Sequence, residues 1–351
     1  MKPTALIAAL FTASTTLPLL AQQGSATYQL VFQSNWSQAT HPVQWPSNAH
    51  FSPLVGATHA PAASFWLPGN LATLGIKNMA ERGQTAALSI EVQAAIAAGT
   101  AQQVLLYGAL ATSPGTQTIQ FTVSAEFPLL TLVTMLAPSP DWFVGVHGLP
   151  LLANGDWLDQ LVMPLQVYDA GTDSGVSYAS PDLVTVPPMP IGAVTTASGP
   201  FQGLPGPIGT FTLQRLHGTA VHGCVSPAGS LGVAGAARIG QALSLTLHDP
   251  SGGFTNPALT AIALSGAAAV GFPCGPILPG YGLGQVALPG EVLLQSIDAL
   301  ATGPLWMGAP VPFPLTIPLQ LNLAGQRVHL QGLLISDRIG LTRGLSVLIG
   351  S

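Results

Sequence analysis

Three aspartates carry the clearest chemistry in this sequence. Asp141 opens the run Asp-Trp-Phe-Val-Gly-Val (141–146), and Asp169 and Asp173 stand four apart in Tyr-Asp-Ala-Gly-Thr-Asp-Ser-Gly (168–175). Only 13 of 351 residues are acidic, so this stretch concentrates hard oxygen ligands. Such ligands suit a divalent cation. Ca²⁺ takes carboxylates, backbone carbonyls and water, and Gly171 and Gly175 let a loop bend its carbonyls toward an ion. Asp169 and Asp173 face one centre if the three residues between them turn tightly. The same two residues would serve equally as Asx turns, their carboxylates accepting backbone N–H groups. The spacing is not that of the twelve-residue Ca²⁺ loop with its terminal Glu.

Other candidate groups are weaker. His41, His50 and His59 recur at nine-residue intervals, and three imidazoles could hold Zn²⁺ with one position open. Structural zinc ligands usually come in close pairs, so the expectation is buried or half-buried His bonded to backbone. Asp173, Ser174 and His147 make a nominal triad of the kind that any chain with 8 His offers by chance. No Gly-x-Ser-x-Gly, His-Glu-x-x-His or phosphate loop ending in Gly-Lys-Ser or Gly-Lys-Thr occurs, and an enzyme is not expected. Cys224 and Cys274 are the only cysteines, and in an exported chain they are expected to form a disulfide.

The elements that must position these residues are strands. With 40 Gly and 32 Pro the chain is punctuated too often for long helices. Tyr28, Leu30 and Phe32 alternate with more polar neighbours, as do Ile119, Phe121 and Val123, and both patterns predict strands with one buried face. Residues 105–109 and 129–136 read as further strands. The best helix lies at 85–99, where Leu88, Val92 and Ile96 repeat every fourth residue between a capping Thr85 and Gly99. A short helix begun by Asp156 is expected over 156–165, with Asp156 as its cap and Asp159 solvated. After a Pro- and Gly-rich stretch at 187–207, strands are expected again at Leu243 to Leu247, Leu315 to Leu323 and Val328 to Ile335.

Composition sets the class. Hydrophobic residues make up 48% of the chain and charged residues 6%, against about 25% charged in an ordinary soluble domain. The 8 basic residues are scattered and the net charge is -5, so no footprint exists for a phosphate backbone and no nucleic-acid partner is expected. Residues 1–21 read as a secretory signal peptide, and the later charge-free stretches are too broken by Gly and Pro to span a bilayer. The expected location is secreted and extracellular.

Several strings also occur in a particular order: Trp36-Ser37-Gln38-Ala39-Thr40-His41-Pro42, Ala49-His50-Phe51-Ser52-Pro53, Gly56-Ala57-Thr58-His59, Gly75-Ile76-Lys77, Ala80-Glu81-Arg82-Gly83, Ser139-Pro140-Asp141-Trp142, and Asp169 through Gly175. In these residues the segment 26–217 resembles a spondin domain, the N-terminal module of F-spondin and mindin type matrix proteins. The resemblance implies an antiparallel β-sandwich similar to C2 domains with one or two short helices, and a calcium site whose ligands fall on Asp141, Asp169 and Asp173. It departs from animal members in lacking a cysteine pair at 151–157. Residues 218–351 more loosely resemble the small C-terminal β-sandwich of secreted bacterial surface proteins. The expectation is therefore an all-β chain of two antiparallel sandwiches: a secreted, calcium-binding adhesion or ligand-binding module whose partner is an extracellular or cell-surface protein or glycan. A metal-dependent hydrolase of extracellular polymers and a structural surface protein without a ligand are the alternatives.

Overall fold

The computed structural model describes residues 24–194, 199–202, 206–223, 230–249, 253–268, 295, 297–337 and 339–351. The expected signal peptide and both cysteines, Cys224 and Cys274, lie outside these residues.

In chain order, β1 (Gly24–Ser34) and β2 (His50–His59) precede two helices, α1 (Leu74–Arg82) and α2 (Ala86–Ala97). Then follow β3 (Ala101–Leu110), β4 (Gly115–Ser124), β5 (Leu129–Ala137), β6 (Trp142–Pro150), β7 (Leu152–Ala153), β8 (Asp156–Trp157), β9 (Gln160–Leu165), β10 (Val167–Asp169) and β11 (Gly192–Ala193). The long β12 (Gly209–His222) leads to β13 (Ser230–Ala234), β14 (Ala242–His248), β15 (Leu259–Ser265), β16 (Ala299–Thr302), β17 (Val311–Thr316), β18 (Arg327–Ile335) and β19 (Ile339–Leu348). The class is all-β with antiparallel strand pairing, as the composition implies.

Two sandwiches share one sheet. Among the described residues the largest sheet runs β16-β15-β18-β19-β12-β1-β4, with β9 also paired to β12. Its β12-β1-β4 end faces a second sheet of order β11-β10-β6-β5-β2-β3, and its other end faces the small sheet β13-β14-β17. β12 is the common member: residues 209–220 pair with β1, and on the other edge residues 209–214 pair with β9 and residues 218–222 with β19. The position 217/218 thus falls inside a single strand.

Local patterns explain the layers. Ala26, Tyr28, Leu30 and Phe32 of β1 point inward at alternate positions against Phe51 and Phe211, whose rings meet Phe32 edge-on at 4.9 and 5.3 Å. β5 is buried almost throughout because both of its faces are covered: Leu130, Leu132 and Leu136 face the inter-sheet core, while Val133 and Met135 face the helices. α1 begins at Thr73, whose hydroxyl accepts from Ile76 N, and ends at Gly83 in the left-handed region. Glu91 of α2 accepts from Gly75 N at 2.7 Å and from the Thr73 hydroxyl at 2.8 Å, so one helix completes the cap of the other. The expected helix over 85–99 is α2, with Leu88 and Val92 buried, but Thr85 makes no capping bond. Its own backbone is already helical, which turns its side chain away from the N–H groups it would cap.

Two expected elements differ. The helix expected over 156–165 is instead the strand pair β8 and β9, because residues 160–165 find an open edge on β12 and alternate Leu161, Met163 and Leu165 inward. Asp156 is not a helix cap but is buried against Arg215, and Asp159, exposed as expected, also pairs with Arg215 and Arg327. The strand expected through Leu323 stops at Thr316 before Pro318, and Leu319 and Leu321 are left exposed. Among the described residues no helix is long and apolar enough to cross a membrane.

Candidate metal centre

Asp141 ends the tight turn that enters β6, and Asp169 closes β10, the strand paired beside it. The register Asp169↔Trp142 sets the two carboxylates near each other, and the indole N–H of Trp142 donates to Asp169 Oδ2 at 3.3 Å. The indole itself is wedged into aromatic packing, 5.6 Å from Tyr178 and 5.4 Å from Phe201. After Asp169 the chain turns at Gly171, whose φ of 71° and close approach to the Met189 carbonyl leave no room for a Cβ. Residues 172–174 then run beside 183–185, tied by Ser174 N to Leu183 O at 2.7 Å and Thr185 N to Thr172 O at 3.0 Å.

Within this loop the carboxylates are occupied unequally. Asp169 Oδ1 accepts from Gly171 N, and Asp173 Oδ1 accepts from Gly175 N, each at 2.7 Å. Both are Asx turns. Asp173 Oδ2 accepts from Leu183 N at 2.9 Å, which ties the returning segment down. Asp141 is fully buried; its Oδ2 accepts from Thr172 N, Asp173 N and the Thr172 hydroxyl at 2.7, 3.0 and 3.2 Å. Its Oδ1 is buried with no hydrogen-bond partner.

That orphan oxygen sits in an acidic surrounding. Burial, and after it the nearby Asp169 carboxylate, push the Asp141 carboxyl up to about 6 despite the three bonds it accepts. Asp169 is also raised, by burial first and with a contribution from Asp173. Among the described residues the salt bridges of Lys and Arg go elsewhere, and none reaches these three aspartates. As the side chains stand, no group of three His, Cys, Asp or Glu among the described residues is arranged to hold a metal ion. Asp173 spends both oxygens on backbone amides and Asp169 divides its pair between Gly171 N and the Trp142 indole, so the structure brings the three to one place without pointing them at one centre.

The other candidates separate. His59 is buried, with Nδ1 on Ala60 O at 2.9 Å and Nε2 on the Thr131 hydroxyl at 2.8 Å. His50 bonds Asn48 O, and His41 bonds the Thr40 hydroxyl and packs on Phe201. Ser174 shares its hydroxyl with Thr185 at 2.7 Å, while the His147 ring packs on Trp66. A cavity of about 350 Å³ opens nearby on His41, Gln166, Val167 and Phe201 but is lined by none of the three aspartates.

A family model, Spondin_N, matches residues 26–202 and so takes in all three aspartates with the strands and loop that carry them. The chain belongs to the spondin N-terminal domain family. Rat (Rattus norvegicus) spondin-2 is 34% identical over 177 residues, 49% of this chain and 54% of that protein. Human spondin-2 is 34% identical over 205 residues, 54% of this chain and 62% of its own length. Chicken (Gallus gallus) spondin-1 is 35% identical over 188 residues, 50% of this chain and 23% of that protein. The chain thus covers less than two thirds of the length of these spondins.

Sequence reasoning missed Thr172, which supplies two of the donors on Asp141, and the segment 183–191 that closes the spondin loop from behind. It also missed a four-member ion cluster. Arg215 bonds Asp156 at 2.9 Å and also reaches Asp159, while Arg327 pairs with both of the same carboxylates. The basic residues, far apart in sequence, are brought together by the pairing of β12, β19 and β18.

Proposed function

We propose that the chain is a secreted binding or adhesion module in which Asp141, Asp169 and Asp173 bind one Ca²⁺ that stiffens the loop at 169–191. The observation that carries this reading is the buried, unpartnered Oδ1 of Asp141, a carboxyl whose pKa is raised by burial and then by Asp169. A buried carboxylate oxygen without a donor is costly, and a cation would supply what the loop lacks. Asp141 is the residue best placed to hold the ion; Asp169 and Asp173 would join by exchanging an amide for it. The ion's chemistry here is charge neutralisation of hard oxygens.

A loop so held has already lost part of the entropy that binding would otherwise cost. Around it stand Val176, Val184, Val186 and Met189, each more than half exposed, and Leu71, bridged to Pro190, extends the apolar rim. The ligand is an extracellular or cell-surface protein or glycan, and this rim favours a protein. The cavity beside His41 is lined by none of the three aspartates, which favours binding over a hydrolytic metal site. The C-terminal sandwich, in keeping with its looser resemblance, presents the first one. The test is retention of cells or matrix protein by the immobilised full chain. Binding should fall in chelator and with Val186→Asp; metal-dependent turnover of a polymer, abolished by Asp169→Ala in a folded protein, would replace this reading with the hydrolase.

A further inference from the structure

On the sheet opposite the aspartates, β4, β1, β12 and β9 bury alternate residues and turn the others to solvent. The outward residues stand in ranks. Gln120 lies beside Gln29, Gln29 beside Gln214, and Gln214 beside Gln160, so four amides cross four strands in one row. The next row holds Thr122, Thr27 and His217, and the row on the other side holds Thr118, Val31, Thr212 and the exposed Val162. β1, β4 and β9 contain no Asp, Glu, Lys or Arg, and the Arg215 of β12 is turned inward to Asp156.

At one end the face runs into a recess of about 200 Å³ between the two sandwiches. Its floor carries the hydroxyls of Ser25, Thr27, Thr122 and Thr219 with His217, and the turn at 235–237 forms its wall. The Thr27 and Thr122 hydroxyls are 3.2 Å apart, and the Thr219 hydroxyl accepts from Ser25 N at 3.3 Å. Burial, and then Arg238, lower the His217 pKa, so at neutral pH its ring offers one donor and one acceptor without charge.

We infer that this face and its recess form a binding site for an uncharged polysaccharide, with the recess receiving a terminal or branching sugar. Hydroxyls and amides both donate and accept, as sugar hydroxyls do. The four strands offer no free cation to repay the desolvation of phosphate, sulfate or uronate, and Arg238 beside the recess donates to the Ser351 carbonyl at 2.7 Å. Its rows hold no Phe, Tyr or Trp ring, and Val31 and Val162 are separated by Thr212, so it lacks the anchors of a protein interface. Its groups repeat about 4.8 Å across strands and roughly 6.8 Å along them, a lattice suited to a polymer with its own repeat. The site lies apart from the Asp141 loop and its use does not depend on an ion.

The full chain should be tested on an array of neutral oligosaccharides (glucans, mannans, chitin oligomers) beside charged ones (heparin, alginate), and the best binder titrated calorimetrically. The expected result is binding of neutral sugars that survives chelator and Asp173→Ala but weakens at least tenfold in Thr27→Val/Thr122→Val, a pair that keeps shape and strand preference. If that pair fails to fold, Gln29→Ala/Gln120→Ala, at solvent-facing positions, should weaken binding likewise. No neutral binding, binding of charged glycans only, or binding unchanged in both folded variants overturns the inference. Neutral binding lost in chelator or in Asp173→Ala assigns the sugar to the loop and also overturns it. Loss of the Ca²⁺ response with sugar binding intact would remove the calcium reading alone.

Discussion

At Asp141 a carboxylate is held where water cannot solvate it, next to a second carboxylate. An acid whose folded pKa is raised favours folding while protonated, so its contribution is present below the unfolded value near 4 and is lost as pH rises through about 6. In chelator the melting temperature should therefore fall between pH 4 and pH 6.5. With Ca²⁺ present the trend should reverse, since binding requires the ionised form. Asp141→Asn removes the like-charge term: in chelator at pH 7 it should melt at or above the parent, and it should show no Ca²⁺ response. A chelator-treated parent with flat stability across this range would count against the raised carboxyl.

Among the elements, the loop at 169–191 depends on backbone geometry as much as on carboxylates. Gly171→Ala would force a Cβ toward the Met189 carbonyl in a left-handed residue, costing more than about 1 kcal/mol, and it should weaken the Ca²⁺ shift along with stability in a melting series. This loop was half legible in the sequence. Two Asp and two Gly in eight residues announced a turning, oxygen-rich segment, and the Asx turns and the positive φ at Gly171 are what those residue types favour. The donors from Thr172 and Leu183 were not legible, because they are backbone amides whose positions depend on where the chain returns. By contrast β1, β4, β14 and α2 were readable from periodicity, which is a local property of the chain. β8 and β9 were not, since Gln160 to Leu165 is strand only because β12 offers it an edge.

The whole molecule is held at its centre by β12 and the ion cluster beside it. Arg215 has 1% side-chain exposure, and it shares Asp156 and Asp159 with Arg327, which comes from the second sandwich. Removing Arg215 leaves the buried Asp156 with Arg327 as its remaining cation, at a cost of up to about 3 kcal/mol. Arg215→Ala should therefore lower the unfolding free energy, read by denaturant titration, by that order. Cutting the chain after His217 deletes Arg327 and the β19 partner of β12 together. The fragment 24–217 is expected to melt well below the full chain, whereas equal melting would show the two sandwiches to be independent. This coupling could not be read from a sequence whose few Lys and Arg are scattered; it required the pairing of strands that are distant along the chain.

The calcium site is the central claim, and differential scanning calorimetry of the full chain at pH 7 tests it most directly. Parent and Asp173→Ala are compared in Ca²⁺ and in chelator. An ion that binds only the folded state adds about 2.7 kcal/mol when free Ca²⁺ is a hundredfold above its dissociation constant, so the parent should melt several degrees higher with Ca²⁺ and the variant should not respond. A parent that melts at the same temperature in both solutions would contradict the account.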